Sequence, residues 1–343
     1  MNSFGKLLTL TSFGESHGPA MGGVLDGMPA GVAIDLEKLQ RFVDRRRPGQ
    51  PLATPRDEKD CVEILSGIYQ GKTLGTPIGF VVRNEDRRSE DYASLADVFR
   101  PSHADYTYEG KYGLRDPRGG GRASARETLT RVVAGALAMQ VLEPMGIEIH
   151  AKATRVGDAT EEQDFSQAIA LAHEQGDTLG AEVSCVITGV PAGLGEPVFG
   201  KLHARLAMAM MSINAAKGFD YGLGFGFATA RGSEVTDRFV MKDGRIGTET
   251  NYSGGIQGGI SNGEDICFRV AFRPVPTLPR GMEAMRRGGE PVELRPGGRH
   301  DVCVVPRVIP VVEAMAALVI LDNCLLNAKN DKGMFSNLLS GGR

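Results

Sequence analysis

RPSHADYTYEGKYGLRDPRGGGRASARETLTRVVAGA, residues 100–136, carries two signals at once. Its second half sets a helix. From Arg126 the apolar residues fall at Leu129, Val132, Val133, Ala136, Leu137 and Val141, the i, i+3, i+4, i+7 spacing of an amphipathic helix that runs to about Met145. Ser124 precedes it as N-cap, and Glu127, three residues on, completes a capping box. The first half is basic and glycine-rich: Arg100, Lys111, Arg115, Arg118, Arg122, Arg126 and Arg131, with His103 near the start and Gly119–Gly121 in the middle.

A glycine-rich loop feeding a helix N-terminus aims backbone N–H groups and a partial positive charge at one spot. Arginines on both sides reinforce it, because a guanidinium fork matches phosphate and carboxylate oxygens. The pattern predicts an anion site, with phosphate the favoured anion. A lone GGG would favour a plain loop beside a solvated basic face, but here cap, helix and flanking arginines agree. No Gly-Lys-Ser/Thr follows, so this is not a Walker-type phosphate loop. Ser124 stands where a dinucleotide fingerprint needs its third glycine. A second class of function is a polyanion- or RNA-binding module using the basic stretch 100–131. Net charge −3 and few aromatics near the basic residues oppose it.

Outside this stretch, glycine reaches 46 residues in a chain of 343, nearly twice its usual share of about 7%, and it is scattered without period. That excludes collagen-like and low-complexity chains and predicts many tight turns. Five cysteines, Cys61, Cys185, Cys267, Cys303 and Cys324, are odd in number and form no CxxC. Neither a disulfide framework nor a metal site is indicated, in keeping with a reducing cytoplasm. The N-terminal MNSFGKLLTLTSFGESHG lacks a signal-peptide core. Val308–Leu326 is the most apolar segment, but it contains Pro310, Glu313 and Asp322 and reads as a buried helix, not a membrane span. With no repeat and no linker, residues 1–343 read as a single domain. Strands and helices alternate without repeated βαβ units, which gives α+β with mixed or antiparallel sheets.

Toward the N-terminus, Leu7–Thr11 reads as a strand ending at Gly14-Glu15-Ser16-His17-Gly18. His17 is there either a site residue, beside a glycine that admits a ligand, or a surface-turn histidine. Gly22–Leu25 and Val32–Ile34 suggest a hairpin pair. Asp35 caps a helix from Leu36 to about Arg46, ending in Arg45-Arg46-Arg47-Pro48-Gly49, where the arginines serve the helix dipole or, for at least one, a ligand. Val62–Tyr69 and Ile78–Arg83 read as strands, and Asn84–Asp97 as a loop with a short helix.

Toward the C-terminus, Glu148–Val156, Glu182–Val190 and Asp265–Phe272 read as strands. Thr160 with Gln163 forms a capping box before a helix to about Glu174, and Val198 to about Ala216 is mostly helix, with Met208 and Met211 packing the core. GGIQGGISNG at 254–263 is either a backbone lying close to a flat or charged ligand or a long mobile loop. Gly298-Arg299-His300-Asp301 precedes the last helix, as site residues or as a solvated turn.

Assembled, these segments closely resemble the chorismate synthase family. The resemblance rests on FGESHG at 13–18, RPSHADYTYEGKYGLRDPRGGGRASARET at 100–128 and GRHDVCVVPRVIPVVEAM at 298–315, with DRRRPG at 44–49, MSINAAKG at 211–218 and GGIQGGISNG at 254–263 in support. It implies a β–α–β sandwich, with helices between two antiparallel sheets, assembled as a homotetramer. It implies the 1,4 anti elimination of phosphate from 5-enolpyruvylshikimate-3-phosphate, giving chorismate, the last common step of the shikimate pathway. The reaction requires reduced FMN and makes no net redox change.

The site follows by the same resemblance. His17 is the acid at the leaving phosphate, His103 lies by the reduced flavin, and Asp301 assists proton removal through flavin N5. Ser16 and Ser124 match serines near flavin and substrate. FMN contacts carry over to Arg122, Ala123 and Ser124, to Asn214 and Ala215, to Gly258, to Arg273, Pro274, Val275, Pro276 and Thr277, and to Arg299. Arg46 matches a position associated with NADPH. Two departures stand out. Arg273-Pro274-Val275-Pro276-Thr277 replaces the Lys-Pro-Thr-Ser-Ser of many members, losing a backbone donor and a hydroxyl. Leu52 replaces a second basic NADPH-associated residue of some members. The resemblance is to the bacterial, monofunctional type, usually fed reduced flavin by a separate reductase.

Overall fold

Alternating apolar residues build two antiparallel sheets, and two nearly all-apolar helices fill the space between them. The computed structural model describes residues 1–47, 59–84, 95–242, 244–278, 280–295, 301–305 and 307–330. The first sheet contains β1 (Ser3–Phe4), β2 (Thr9–Phe13), β3 (Ala20–Asp26), β4 (Val62–Ile64) and β5 (Ile78–Arg83), in the order β1-β2-β3-β5-β4. The second contains β6 (Glu148–Val156), β7 (Ala181–Thr188), β8 (Ala216–Tyr221) and β9 (Ile266–Phe272), in the order β8-β9-β7-β6. Each neighbouring pair is antiparallel. Along β7, Ala181, Val183, Cys185 and Ile187 are buried, and along β9, Ile266, Phe268, Val270 and Phe272, so both strands turn one face inward.

The helices are α1 (Leu36–Asp44), α2 (Asp105–Tyr112), α3 (Thr128–Leu142), α4 (Glu162–Glu174), α5 (Leu202–Met211) and α6 (Ile309–Asn327). α3 packs on β2 and β3, α6 packs on β6 and β7, and the two helices pack on each other. The layers therefore run sheet, helix pair, sheet, the β–α–β sandwich that the resemblance implied. Residues Pro310 to Asn323 of α6 are all buried. The helix is apolar and long enough to cross a membrane, but 78% of its apolar window is covered by the rest of the protein, as befits a core helix. Pro310 sits in the first turn, where its missing N–H removes no helical hydrogen bond. At the crossing of the pair, a Cβ on Gly135 would lie 2.3 Å from Ala314 Cβ and 2.4 Å from its Cα.

Two carboxylates on α6 are buried, and each is compensated, as burial of charge requires. Glu313 accepts from Arg45 at 2.6 and 3.1 Å and from the Ala151 N–H at 3.0 Å. Asp322 accepts from the N–H groups of Lys6, Leu7 and Leu8 at 2.9, 2.8 and 2.9 Å, and pairs with Arg205. The start of the chain is thus tied to its last helix.

Several expectations change in detail. The first long strand is Thr9–Phe13, not Leu7–Thr11, because Leu7 and Leu8 turn their N–H groups to Asp322. Val32–Ile34 makes no hairpin with Gly22–Leu25; β3 pairs with β2 and β5, and Ala33 forms a single bridge to Lys72. Val62–Tyr69 breaks into Val62–Ile64 and Ile68–Tyr69. Thr160 caps nothing: the N-cap of α4 is Glu161, with no side-chain bond. The helix predicted from Val198 is Leu202–Met211, and Ala216 already begins β8. Within it Met210 is buried, but Met208 and Met211 are 56% and 47% exposed, so they are not core residues. The stretch 254–263 is a tight hairpin, Ile256–Gln257 with Ile260–Ser261, and not a long loop. The loop and helix expected over Asn84–Asp97 fall mostly outside the described residues.

Overpacking a core usually costs about 1–3 kcal/mol, and here the obstructing atoms include backbone, so Gly135→Val is expected to lose about 3 kcal/mol or more in urea unfolding. Gly110→Ala in α2 is the control. Its added methyl meets nothing within 4 Å, so it is expected to be neutral or to gain up to about 1 kcal/mol.

Candidate active site

The Gly119–Gly121 loop holds two histidines from distant parts of the chain. His17 comes from the turn after β2. A Cβ on Gly119 would lie 2.4 Å from both its Cε1 and Nδ1, and Gly119 has φ +72°, so only glycine serves there. Ser16 Oγ lies 3.1 Å from His17 Nδ1. His103, just before α2, faces the next glycine: a Cβ on Gly120 would lie 3.3 Å from its Cε1 and 3.4 Å from its Nε2. Arg100 pins the loop by donating from Nη2 to the Gly119 carbonyl at 2.7 Å.

The loop enters α3 through two short 3-10 turns, Gly121–Ala123 and Ala125–Glu127. Ser124 caps the second turn, accepting from the Arg126 N–H at 3.3 Å. Glu127 completes no capping box. It pairs with Arg131 at 2.7 Å, because the tighter turns carry its side chain away from Ser124.

Asp105 organises the other side. It is 4% exposed. It accepts from Arg100 Nε and Nη2 at 2.7 and 2.9 Å and from the Arg100 N–H at 3.1 Å, and its Oδ1 lies 3.0 Å from His103 Nδ1. Burial pushes this carboxyl up, but the bonds and charges of Arg100 and His103 outweigh that and hold it well below the usual carboxylate range. The carboxylate lies against the Nδ1 edge of the imidazole without aligned hydrogen-bond geometry, and Nε2 is on the side of Gly120. Asp116, bonded to Arg118 and close to His17, is also held below the usual range. Glu15 behaves in the opposite way. Burial pushes its carboxyl up, Arg122 opposes this, and Asp116 adds to it.

Two cavities meet here. One of about 230 Å³ is bounded by Glu15, His103, Asp105, Asp116, Gly120 and Gly121. The other, a groove of about 1000 Å³, is shared with Tyr108 and Ala123 and lined by Lys6, Lys111, Arg122, Arg131 and Arg205 against one acid, Glu127. Phe4, Leu10, Met208 and Met315 give the groove apolar surface. Arg122 bonds neutral oxygens, Ser12 Oγ at 2.6 Å and the carbonyls of Ser12 and Gly14 at 3.3 and 3.2 Å. Asn214 donates to the Ala123 carbonyl at 3.0 Å, while its Oδ1 is buried with no hydrogen-bond partner among the described residues.

The sequence-derived site residues separate into three groups. Ser16, His17, His103, Arg122, Ala123, Ser124 and Asn214 converge on the loop and the groove. Ala215, at φ +67°, accepts from the Arg273 N–H at 3.0 Å, and Arg273 Nη2 reaches the Ser102 carbonyl at 2.6 Å, which sets the 273–277 segment beside His103. In that segment the Val275 carbonyl accepts from Thr178 at 2.9 Å, Pro274 is exposed, Pro276 half-buried, and Thr277 buried. Three residues are not brought in. Gly258 is exposed at its hairpin turn, Asp301 accepts from Arg307 at 2.6 Å, and neither lines the two cavities described above. Arg46 is 2% exposed, donates to Thr128 Oγ1 and the Ala125 carbonyl at 2.9 and 2.8 Å, and lines neither of the two cavities. Arg299, His300 and Leu52 lie outside the described residues.

Sequence reasoning missed Asp105, Asn84 and Asp60. An acid two residues after a histidine was a usable signal for Asp105. Nothing local marks the other two. The basic stretch is also not a free cationic surface. Arg100 and Arg115 face Asp105, Arg118 faces Asp116, Arg126 faces Asp60 and Arg131 faces Glu127. That removes the basis of an RNA-binding module. Among the described residues, no cluster of His, Cys, Asp and Glu has a metal-holding arrangement, and all five cysteines are unbridged.

Such a sandwich, with two histidines packed on one glycine loop beside a groove, defines a candidate enzyme of the α+β class. Comparison with known proteins makes it specific. Residues 8–325 match the family model described as chorismate synthase. A chorismate synthase of Azobacteroides pseudotrichonymphae is 55% identical over 95% of this chain and 100% of its own length. That of Parabacteroides distasonis is 52% identical over 95% and 98%. A solved chorismate synthase crystal structure superposes with a TM-score of 0.74 at 29% identity, covering 94% of this chain and 93% of that one. The chain belongs to the chorismate synthase family, whose members are carbon–oxygen lyases acting on a phosphate.

Because Glu15 titrates above its ordinary value of 4.5, folding disfavours its charged form. That cost is present above the folded pKa and absent below the unfolded one. Glu15→Gln, which mimics the protonated acid, is therefore expected to melt higher than the parent at pH 7. The difference should close as pH falls below 4.5 in paired calorimetric scans.

Proposed function

We propose that the Gly119–Gly121 loop with its two histidines, His17 and His103, and the cationic groove beside it together bind 5-enolpyruvylshikimate-3-phosphate and reduced FMN. The observation that carries this reading is the packing of two histidines against adjacent glycines of one loop. The substrate's phosphate and two carboxylates suit the cations of the groove, since the smaller cavity is bounded by Glu15, Asp105 and Asp116 with Arg115 as its one guanidinium. The groove suits a flavin: it has apolar walls, cations at its edge, and in Asn214 Oδ1 a buried acceptor matched to an imide N–H. When bound, reduced FMN supplies an electron-rich ring, with no net redox change over the cycle. Arg122, Ala123, Ser124, Asn214 and Ala215 would hold it, with Arg273 to Thr277 toward its phosphate.

His17 holds a proton at the leaving phosphate oxygen, so that phosphate departs as a weaker base. Asp116, held below the usual carboxylate range by Arg118, lies close to His17. His103, with Asp105 against its Nδ1 edge, faces the flavin side. Asp301 and Ser16 are assigned supporting roles, Asp301 at the proton-removal side and Ser16 beside His17. The enclosure of Arg46 supports a monofunctional enzyme supplied with reduced flavin by a separate reductase, and opposes an intrinsic NADPH site there. The unbridged cysteines support a cytoplasmic setting. One large apolar core spanning both sheets and the helix pair supports reading 1–343 as a single domain. The exposed apolar side chains Phe239, Met241 and Ile246, on the hairpin Phe239–Lys242/Arg245–Thr248, support a homotetramer.

Anaerobic turnover with photoreduced FMN is expected to release chorismate and phosphate in equal amounts. None should form with oxidised FMN, or with NADPH and FMN alone. Loss of a general acid typically costs about 10²–10⁴ in rate, so His17→Ala is expected to fall in that range, and His103→Ala to fall with it, both remaining folded. Wild-type rates would remove either residue from the mechanism. Sedimentation is expected to give a tetramer that Met241→Glu with Ile246→Glu dissociates; a monomeric parent protein would end that assignment.

A further inference from the structure

We infer that Asn84 is a positioning residue that sets His17, by clamping the loop that carries it. The inference rests on reading His17 as the acid at the leaving phosphate. Asn84 follows the last residue of β5, and its N–H donates to the Pro19 carbonyl at 3.1 Å, one step past the Ala20–Arg83 pair. Its side chain, in a residue 5% exposed, turns back under the Glu15–Gly18 turn. The carboxamide nitrogen donates to the Gly18 carbonyl at 2.8 Å, and reaches those of Glu15 and Ser16 at 3.3 and 3.4 Å. The turn closes on itself through a Gly18 N–H to Glu15 carbonyl bond of 2.9 Å.

Carbonyls from both sides of His17 thus converge on one amide. Without that donor their dipoles would face each other in a buried space, and each would lack part of its hydrogen bonding. The other end of the amide is fixed as well. Asn84 Oδ1 accepts from Arg126 Nε at 2.7 Å, and Arg126 Nη2 donates to Asp60 Oδ1 at 3.0 Å. A guanidinium has no acceptor, so the oxygen of Asn84 must face Arg126 and its nitrogen the loop. Asp60 is buried and held at φ +44°, a backbone conformation that costs energy for a non-glycine residue and that the surrounding contacts sustain.

Arg126 belongs to the 3-10 turn that leads from the glycine loop into α3. One side chain therefore registers the His17 turn against the loop whose Gly119 touches the His17 ring. That ring contact leaves no room for slack, and misplacement by about 1 Å is enough to cost about 100-fold in rate.

The test is a double-mutant cycle. Asn84→Asp keeps the shape and the acceptor for Arg126 but sets oxygen against the carbonyls. It is expected to lower kcat about 100-fold while changing KM for 5-enolpyruvylshikimate-3-phosphate by less than about 3-fold. In a His17→Ala background it should cost nothing further, because the clamp acts only through His17. An equal loss with and without His17 overturns the inference, as does a wild-type kcat in both Asn84→Asp and Asn84→Ser. Asn84→Ser carries the cycle if circular dichroism shows Asn84→Asp to be unfolded. A wild-type kcat in His17→Ala alone refutes the proposed acid, and the inference with it. That outcome is read from a single variant and is distinct from failure of the clamp.

Discussion

The approach of α3 to α6 at Gly135 and Ala314 sets the geometry on which the sandwich depends. Two helices buried on nearly all sides must sit close to fill the layer at interior density, and the missing side chain at Gly135 permits it. The sheets then close on the pair from either side, β2 and β3 over α3, β6 and β7 over α6. The consequence for the site is direct. α3 begins where the glycine loop ends, so fixing α3 against α6 also fixes the loop, and β2 delivers the His17 turn to it from the first sheet. Catalytic geometry is inherited from a core contact that touches no ligand.

Charge in this protein is arranged by pairing. Most arginines of the 100–131 stretch answer a carboxylate, and those acids are themselves buried or bonded. Asp105 shows the logic most fully, since one carboxylate restrains Arg100 and meets Arg115 while contacting His103. A site built this way keeps its histidines and guanidiniums in place before substrate arrives. Little reorganisation is then left for the moment of reaction. Glu15 runs against the pattern, a carboxyl that burial disfavours beside the groove. Such a locally unfavourable group belongs at a functional surface more readily than in a scaffold.

Much of the fold was readable in local pattern. β5, β6, α1 and α6 follow from period and capping, because their burial is amphipathic or complete and each is bounded by clear signals. The glycine loop leading into α3 was readable as well, but the arginines around it pair with carboxylates that the local pattern did not mark. What local pattern could not supply was partnership across the chain. The capping box at Ser124 failed because two 3-10 turns intervene. Arg46 faces inward because Ala125 and Thr128, some 80 residues away, need its donors. Asn84 and Asp60 gain meaning only from residues that folding brings to them. A flavin has no spacing signature here at all, and only the family resemblance suggested one.

The bonds from Asp322 to the N–H groups of Lys6, Leu7 and Leu8 also bear on how the molecule is born. A ribosome presents residues 6–8 more than 300 residues before residue 322. Until then the opening segment lacks its acceptor, and the edge of the first sheet stands unfinished. Contacts that close a loop of over 300 residues form late, since the chain gains nothing from them until most of it is already ordered. Residues 6–8 therefore wait for α6, and loss of the chain from residue 322 onward would leave these N–H groups without their acceptor.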